Sequence, residues 1–152
     1  MLTHAVEDVP VESQWTEKAF VEPSREPYEA ERREQKLVIA LRDHLRTRQH
    51  EVCRLKIVPP GEAKPLFSDL LDRTTGTLVE AKGSIERGAI RMAIGQLADY
   101  KRFVDPPPRH LAVLLPSRPR ADLQALLTDE HIEIIWPTRD GFNDTTDGAL
   151  TA

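Results

Sequence analysis

Two carboxylates and a lysine in the middle of the sequence have the spacing that phosphodiester hydrolysis would need. Asp69 lies in a short run, 66–72, and Glu80 lies in a second run, 77–81, with Lys82 directly after it. The four residues that join the runs end in glycine, which is typical of a β-hairpin turn. Pairing about the centre of that turn predicts that Asp69 lies opposite Glu80.

Directly opposed residues in a hairpin have Cβ atoms about 5 Å apart. Two carboxylates at that distance repel each other unless a cation lies between them. Lys82 follows Glu80 by two residues and is predicted on the same face, whereas Leu70, Val79 and Ala81 form an apolar face. Hard oxygen ligands suit Mg²⁺, which polarises a phosphoryl group, and a nearby lysine can orient the attacking water. The alternative is an ordinary surface salt bridge of Lys82, which contributes at most about 1 kcal/mol.

The rest of the sequence predicts the elements that position these residues. Apolar residues at spacings of three and four predict a helix from residue 29 to about residue 48, and alternation predicts a strand over 52–58. After the hairpin the predicted elements are a helix over 89–104, a strand over 110–115, a helix over 121–130 and a strand over 132–136. This order, α-β-β-β-α-β-α-β, predicts an α/β fold in which helices flank a mixed central sheet.

Composition excludes several classes of protein. No apolar run approaches the 18 residues of a membrane-spanning helix, and the N-terminus lacks the pattern of a secretory signal. A single cysteine, Cys53, excludes a disulfide framework, and the five histidines have no zinc spacing. We therefore expect a cytoplasmic protein with no membrane partner.

The net charge of -4 conceals an uneven distribution along the chain. Residues 1–28 have a net charge of -4, residues 29–120 of +6 and residues 121–152 of -6. A basic middle between acidic ends predicts either a surface that faces a polyanion or a solvated helix face. The first 28 residues are polar and contain three prolines, which predicts a loosely ordered arm or linker, and the residues after Pro137 read as a polar tail.

A combination of motifs resembles the PD-(D/E)XK nuclease superfamily, and in particular its RecB-like branch. Ser68-Asp69 is followed eleven residues later by Glu80-Ala81-Lys82, and Gln96-Leu97-Ala98-Asp99-Tyr100 lies on the next predicted helix. The resemblance covers residues 29–136, and its order of elements is similar to that family's restriction-endonuclease-like core. Ser68 stands where the family name has proline. The stretch is similar to nuclease domains of bacterial restriction and defence proteins.

The resemblance implies a role for each matching residue. Asp69 and Glu80 would bind Mg²⁺, with Mn²⁺ as a substitute, and Lys82 would position or activate the attacking water. Gln96 and Tyr100 match the helix motif, and their spacing puts them on one helix face. The family often adds a carboxylate from the first helix. We choose Glu34, which lies in phase with the apolar stripe of that helix, with Glu31 as the alternative.

The resemblance implies a metal-dependent DNA nuclease in restriction, defence or repair. Arginine suits bidentate contact with phosphate, so we expect DNA contacts from the basic residues on and after the second helix, namely Arg87, Arg91, Lys101 and Arg102. Double-strand cleavage would require a homodimer or sequential nicking, and an additional domain or subunit would supply specificity. The alternatives are a non-catalytic nucleic-acid or protein interaction domain that keeps the fold, and a nuclease directed at RNA.

Overall fold

The computed structural model describes residues 5–12 and 29–152 of the chain. The helices in this part are α1 (Glu29–Thr47), α2 (Arg87–Tyr100) and α3 (Ala121–Asp129), and a short 3₁₀ helix, Lys101–Phe103, follows α2. The strands are β1 (Ala5–Val9), β2 (Val52–Val58), β3 (Leu66–Phe67), β4 (Leu70–Asp72), β5 (Thr77–Ala81), β6 (His110–Leu114), β7 (Ile132–Thr138) and β8 (Gly141–Asp144).

The strands form one mixed sheet in the order β1-β2-β4-β5-β6-β7-β8, with β3 paired beside β4 on β2. The strands β5, β6 and β7 run parallel, and the other pairs are antiparallel. The prediction of an α/β fold with a mixed sheet is therefore confirmed. The order of elements from α1 to β7 differs from the predicted one only in that the single strand expected over 66–72 is divided into β3 and β4.

Helices cover both faces of the sheet. Helix α1 buries Val38, Leu41 and Leu45 against one face, where Val79 and Ala81 of β5 lie. Helices α2 and α3 pack on the other face, which contains Leu55, Leu71, Leu78 and Ile134. Residues of β5 alternate between the two faces, as the pleat of a strand requires. The side chain of Glu80 is therefore on the α2 face.

The predicted register of the hairpin is confirmed. Leu70 pairs with Val79, Leu71 with Leu78 and Asp72 with Thr77. Gly76 ends the turn with a φ of +71°, a conformation that glycine adopts without strain. The predicted apolar face of the hairpin, formed by Leu70, Val79 and Ala81, packs against α1.

The structure differs from the prediction at both ends of the chain. Residues 5–9, which we expected in a loosely ordered arm, form the edge strand β1, which pairs with β2. Val11 is fully buried beside α1. The expected polar tail contains β8, and its Leu150 and Thr151 are buried. These segments are short and polar, so long-range packing rather than local periodicity determines their structure. The remainder of the expected arm lies outside the described residues.

Ion pairs within the protein neutralise part of the charge of the acidic N-terminal segment and of the basic middle. From the acidic N-terminal segment, Glu7 pairs with Lys56 at 3.7 Å and Asp8 with Arg73 at 2.8 Å. Glu12 lies 2.5 Å from Arg42. Part of the basic middle is thus neutralised by the acidic end of the same chain, which reduces the surface available to a polyanion. None of the described helices is both long enough and apolar enough to cross a membrane.

Candidate active site

Asp69 lies in a β-bulge between β3 and β4. Cys53 of β2 pairs with Leu71 of β4, and Lys56 of β2 pairs with Phe67 of β3. Between these two pairs, two residues of β2 face three residues, 68–70, of the neighbouring segment. A bulge bends its strand and redirects a side chain. Ser68 stabilises the bulge, because its N–H donates to the Leu55 carbonyl at 3.0 Å and its hydroxyl accepts the Leu55 N–H at 2.8 Å. A proline at position 68 would lack that donor.

The bulge brings Asp69 next to Glu80. The Asp69 N–H donates to Glu80 Oε1 at 3.2 Å, and the Ala81 N–H donates to Asp69 Oδ2 at 2.8 Å. Glu80 is 1% exposed and Asp69 is 9% exposed. Two adjacent carboxylates are therefore held by backbone hydrogen bonds in a nearly dry environment.

The environment of Glu80 opposes its ionisation. Burial, together with the neighbouring charge and hydrogen bond of Asp69, raises the pKa of the Glu80 carboxyl well above its ordinary value, and Lys82 only partly offsets this. A divalent cation would lower the pKa of Glu80, because it stabilises both carboxylates in their ionised form. Two carboxylates match the oxygen donor set of Mg²⁺, which commonly uses one or two protein carboxylates beside water and substrate phosphates. The residues present therefore fit a magnesium ion.

Lys82 lies directly beyond the end of β5. Its N–H donates to the Leu114 carbonyl at 3.0 Å, so its backbone continues the ladder with β6. The side chain is 9% exposed and its charge acts on Glu80. It forms no ion pair with a carboxylate among residues 5–12 and 29–152, so the alternative of a surface salt bridge is not formed there.

The N-terminal part of α1 contacts the backbone after Lys82. Arg33 Nε donates to the Gly83 carbonyl at 2.8 Å. The Ala30 carbonyl oxygen would be only 2.3 Å from a Cβ atom at position 83. Glycine is therefore required at this position by close approach of two backbones, and α1 abuts the end of β5.

Gln96 and Tyr100 of α2 lie beside the carboxylates. Burial and the negative charges of Glu80 and Asp69 raise the pKa of the Tyr100 hydroxyl, whereas a hydrogen bond from the Gln96 side chain lowers it. The Oε1 atom of Gln96 is buried and has no hydrogen-bond partner in the described chain. A buried amide oxygen without a partner is costly, and its position beside the carboxylates suggests that a ligand satisfies it.

The structure therefore brings together five of the predicted residues, Asp69, Glu80, Lys82, Gln96 and Tyr100. No three His, Cys, Asp or Glu side chains in the described part of the chain are grouped to hold a metal ion. A third carboxylate from α1, whether Glu34 or the alternative Glu31, therefore stays a prediction.

The predicted DNA-binding residues differ in their freedom to contact a phosphate. Arg87 forms an ion pair with Asp122, and Arg102 forms one with Asp99 while its guanidinium stacks on Phe103. Arg91 and Lys101 are exposed and form no ion pair with any residue that the structure describes.

Sequence reasoning missed the residues that support the site. Ser68 was noted only as a departure from the family pattern, although it stabilises the bulge. Arg54 is fully buried, and its Nε donates to the Ser68 carbonyl at 2.9 Å. The roles of Arg33 and Gly83 depend on a contact between elements fifty residues apart, for which a single sequence contains no local signal.

Comparison of the chain with protein-family models, with curated proteins and with solved structures finds no match.

The raised pKa of Glu80 predicts a dependence of stability on pH and metal. The folded protein binds this proton more tightly than the unfolded chain, so without metal the Glu80 contribution to stability falls as pH rises above about 4.5 and is lost once pH exceeds the folded pKa. Glu80→Gln removes this loss. We expect its thermal midpoint in EDTA to exceed that of wild type by more at about pH 8 than at about pH 5.

Mg²⁺ should raise the thermal midpoint of wild type through linkage and should raise that of Glu80→Gln less. Glu62→Gln is the matched control, because Glu62 is exposed in the loop after β2. The measurement is thermal unfolding across pH, with and without Mg²⁺. Identical behaviour of Glu80→Gln and Glu62→Gln would remove the basis for a metal site at Glu80.

Proposed function

We propose that the protein is a metal-dependent nuclease that hydrolyses phosphodiester bonds in DNA, in restriction, defence or repair. The observation that carries the proposal is the buried Asp69–Glu80 pair with Lys82 beside it. Burying two adjacent carboxylates is unfavourable without a cation, and Lys82 offsets this only in part, so a bound metal ion would stabilise an arrangement that is otherwise costly. The motifs that resemble PD-(D/E)XK nucleases indicate that the substrate is a nucleic acid.

In the proposed mechanism, each side chain acts on a phosphodiester at the end of β5. A bound Mg²⁺ would supply Lewis-acid polarisation and a nucleophilic water at neutral pH. Asp69 and Glu80 would hold the ion, and the Lys82 ammonium would orient the nucleophile and stabilise the negative charge that develops on the phosphate oxygens. The Gln96 amide and the Tyr100 hydroxyl complete the wall of the site on the α2 side.

Nicking of supercoiled plasmid in Mg²⁺ tests the proposal, with single-stranded DNA and RNA offered in parallel. We expect cleavage of DNA that requires Mg²⁺ or Mn²⁺ and that is lost in Asp69→Asn purified in the same way, which controls for contaminating nucleases. Faster cleavage of RNA than of DNA would redirect the assignment to ribonuclease activity. Binding of nucleic acid without any cleavage would identify a non-catalytic interaction domain.

One such site cuts one strand. Double-strand cleavage would therefore need a homodimer or sequential nicking, and an additional domain or subunit would supply specificity. Analysis of plasmid products distinguishes the two routes, because sequential nicking accumulates open circles before linear DNA appears.

The surroundings of Arg87 and Arg91 predict different contributions to DNA binding. Each phosphate contact contributes about 0.9 to the slope of log affinity against log salt concentration. We expect Arg91→Ala to reduce the slope by about one unit. Arg87→Ala should reduce it less, because Asp122 already neutralises that guanidinium.

Affinity measured at several salt concentrations in Ca²⁺, without turnover, checks this difference. Arg48→Ala is the matched control, because Arg48 is exposed just beyond the C-terminal end of α1. A slope for Arg91→Ala equal to that of Arg48→Ala would show that Arg91 does not contact a phosphate.

A further inference from the structure

The parallel strands β5, β6 and β7 finish at the end of the sheet where Lys82 lies. The Lys82 N–H donates to the Leu114 carbonyl at 3.0 Å, which continues the ladder between β5 and β6. The Leu115 N–H donates to the Ile135 carbonyl at 3.0 Å, which continues the ladder between β6 and β7. Lys82, Leu115 and Trp136 are therefore level with one another. Because neighbouring strands are about 4.8 Å apart, the backbone of Trp136 is roughly 10 Å from that of Lys82.

The guanidinium of Arg118 lies on the ring of Trp136, with its Cζ atom 4.7 Å from the ring centre. Its Nη2 atom donates to Gln124 Oε1 at 3.0 Å. The Gln124 amide in turn donates to the Pro119 carbonyl at 2.7 Å, which fixes its orientation. Arg118 is exposed and forms no ion pair among the residues that the structure describes. Uncharged groups therefore order this guanidinium and leave its charge available to an anion.

A second guanidinium lies at the same end of the sheet, on α1. Arg33 Nε donates to the carbonyl oxygen of Gly83, the residue after Lys82, at 2.8 Å. Arg33 Nη1 lies 3.6 Å from Glu29 Oε1, and the Glu29 side chain is 87% exposed. An ion pair this exposed contributes little, so the backbone contact is what places the Arg33 guanidinium. Its charge remains largely available to an anion.

Two further arginines at this end of the sheet are already compensated by a carboxylate. Arg87 forms an ion pair with Asp122, and Arg120 Nε lies 3.7 Å from the other oxygen of Asp122. The exposed carboxylate of Glu86, the residue before α2, opposes an anion here. These contacts distinguish Arg33 and Arg118 from the neighbouring arginines.

We propose that Arg33 and Arg118 bind phosphates of a DNA strand that crosses this end of the sheet, next to the phosphodiester at Lys82. Arg33 would reach the strand from the α1 side of the sheet. Arg118 would reach it from the other side, where Trp136 packs against the core. Guanidinium groups suit bidentate contact with phosphate. This inference rests on the proposed function, because it names the residues that would hold the substrate of that function.

The distance between Lys82 and Trp136 predicts how the contact depends on the length of the ligand. Roughly 10 Å across two strand spacings exceeds the rise of about 3.4 Å per nucleotide of a DNA strand. A mononucleotide bound at Lys82 should therefore not reach Arg118, whereas an oligonucleotide should.

Affinity for a short single-stranded DNA oligonucleotide, measured at several salt concentrations in Ca²⁺ without turnover, tests the proposal. We expect Arg33→Gln and Arg118→Gln each to weaken binding roughly 10-fold at low salt, as for the loss of one charge-assisted contact. Each should reduce the slope of log affinity against log salt concentration by about 0.7, the value for one phosphate contact of a single strand. Arg118→Gln should leave the affinity for deoxyadenosine monophosphate in Ca²⁺ unchanged.

Arg109→Gln is the matched control, because Arg109 is exposed and lies just before β6, at the opposite end of the strands. This variant should bind the oligonucleotide as wild type does. The proposal is wrong if either Arg33→Gln or Arg118→Gln has the affinity and slope of Arg109→Gln. It is also wrong if Arg118→Gln weakens binding of the mononucleotide as much as binding of the oligonucleotide, or if wild type does not bind the oligonucleotide.

The same variants separate this proposal from the nuclease proposal. Cleavage of DNA by wild type, with both arginine variants binding as Arg109→Gln does, would overturn the contacts and keep the nuclease function. Binding that depends on Arg33 and Arg118, without cleavage by wild type, would support the contacts and overturn the nuclease function.

Discussion

Lys82→Ala should reduce the rate of DNA cleavage by about 100-fold or more while leaving DNA affinity in Ca²⁺ close to that of wild type. Losses of this size follow removal of one group that stabilises charge only in the transition state. Lysine is not a ligand of Mg²⁺, so metal affinity should also be retained. The measurements are the nicking rate in Mg²⁺ and the equilibrium affinity for DNA in Ca²⁺.

Lys64→Ala controls for the loss of a positive charge alone, because Lys64 is exposed in the loop before β3. Glu80→Gln provides the contrast, since it should lower both metal affinity and rate. Cleavage by Lys82→Ala at the wild-type rate would show that the proposed mechanism is wrong, even in a protein that proves to be a nuclease.

Gly83→Ala should destabilise the protein strongly. A Cβ at position 83 would lie 2.3 Å from the Ala30 carbonyl oxygen, and that oxygen belongs to the backbone of α1 rather than to a flexible side chain. Overpacking of this kind costs about 1–3 kcal/mol, and each kcal/mol lowers the thermal midpoint of a protein of this size by about 2–4 °C. Thermal unfolding of the purified variant measures the effect.

Gly95→Ala makes the same chemical change where the structure has space. Gly95 is exposed on α2, and a Cβ there would meet no atom within 4 Å. Alanine is favoured over glycine inside a helix by about 1 kcal/mol, so we expect this variant to be more stable than wild type. If Gly83→Ala were as stable as wild type, α1 could not approach the end of β5 as closely as described.

Local patterns were sufficient to predict the hairpin and the residues it positions. The turn between β4 and β5 fixes the register, so the adjacency of Asp69 and Glu80 followed from counting residues outward from the turn. Helical spacing was likewise sufficient to put Gln96 and Tyr100 on one face of α2. Both inferences involve residues that are close in sequence, where backbone geometry determines position.

Features that depend on contacts distant in sequence were not predicted. The edge strand β1 is acidic and short, so its own sequence does not predict a strand. Its pairing with β2 is accompanied by long-range ion pairs of Asp8 with Arg73 and of Glu7 with Lys56. The choice of Glu34 depends on where α1 lies relative to the carboxylates, and the apolar stripe of the helix alone does not indicate which face of the sheet it covers.

The bulge at residues 68–70 has a consequence for changes in the length of the chain. Leu66 before it and Leu71 after it both pack on the α2 face, although they are five positions apart, and an odd offset along a regular strand puts side chains on opposite faces. The extra residue in the bulge therefore shifts the alternation of side chains between the two faces of the sheet by one position. A sequence that lost one residue here would keep either the pairing of β3 with β2 or the position of Asp69 beside Glu80, but not both. Natural variation in length should therefore be absent from 66–72 and concentrated in the exposed loop, 61–64, just before it.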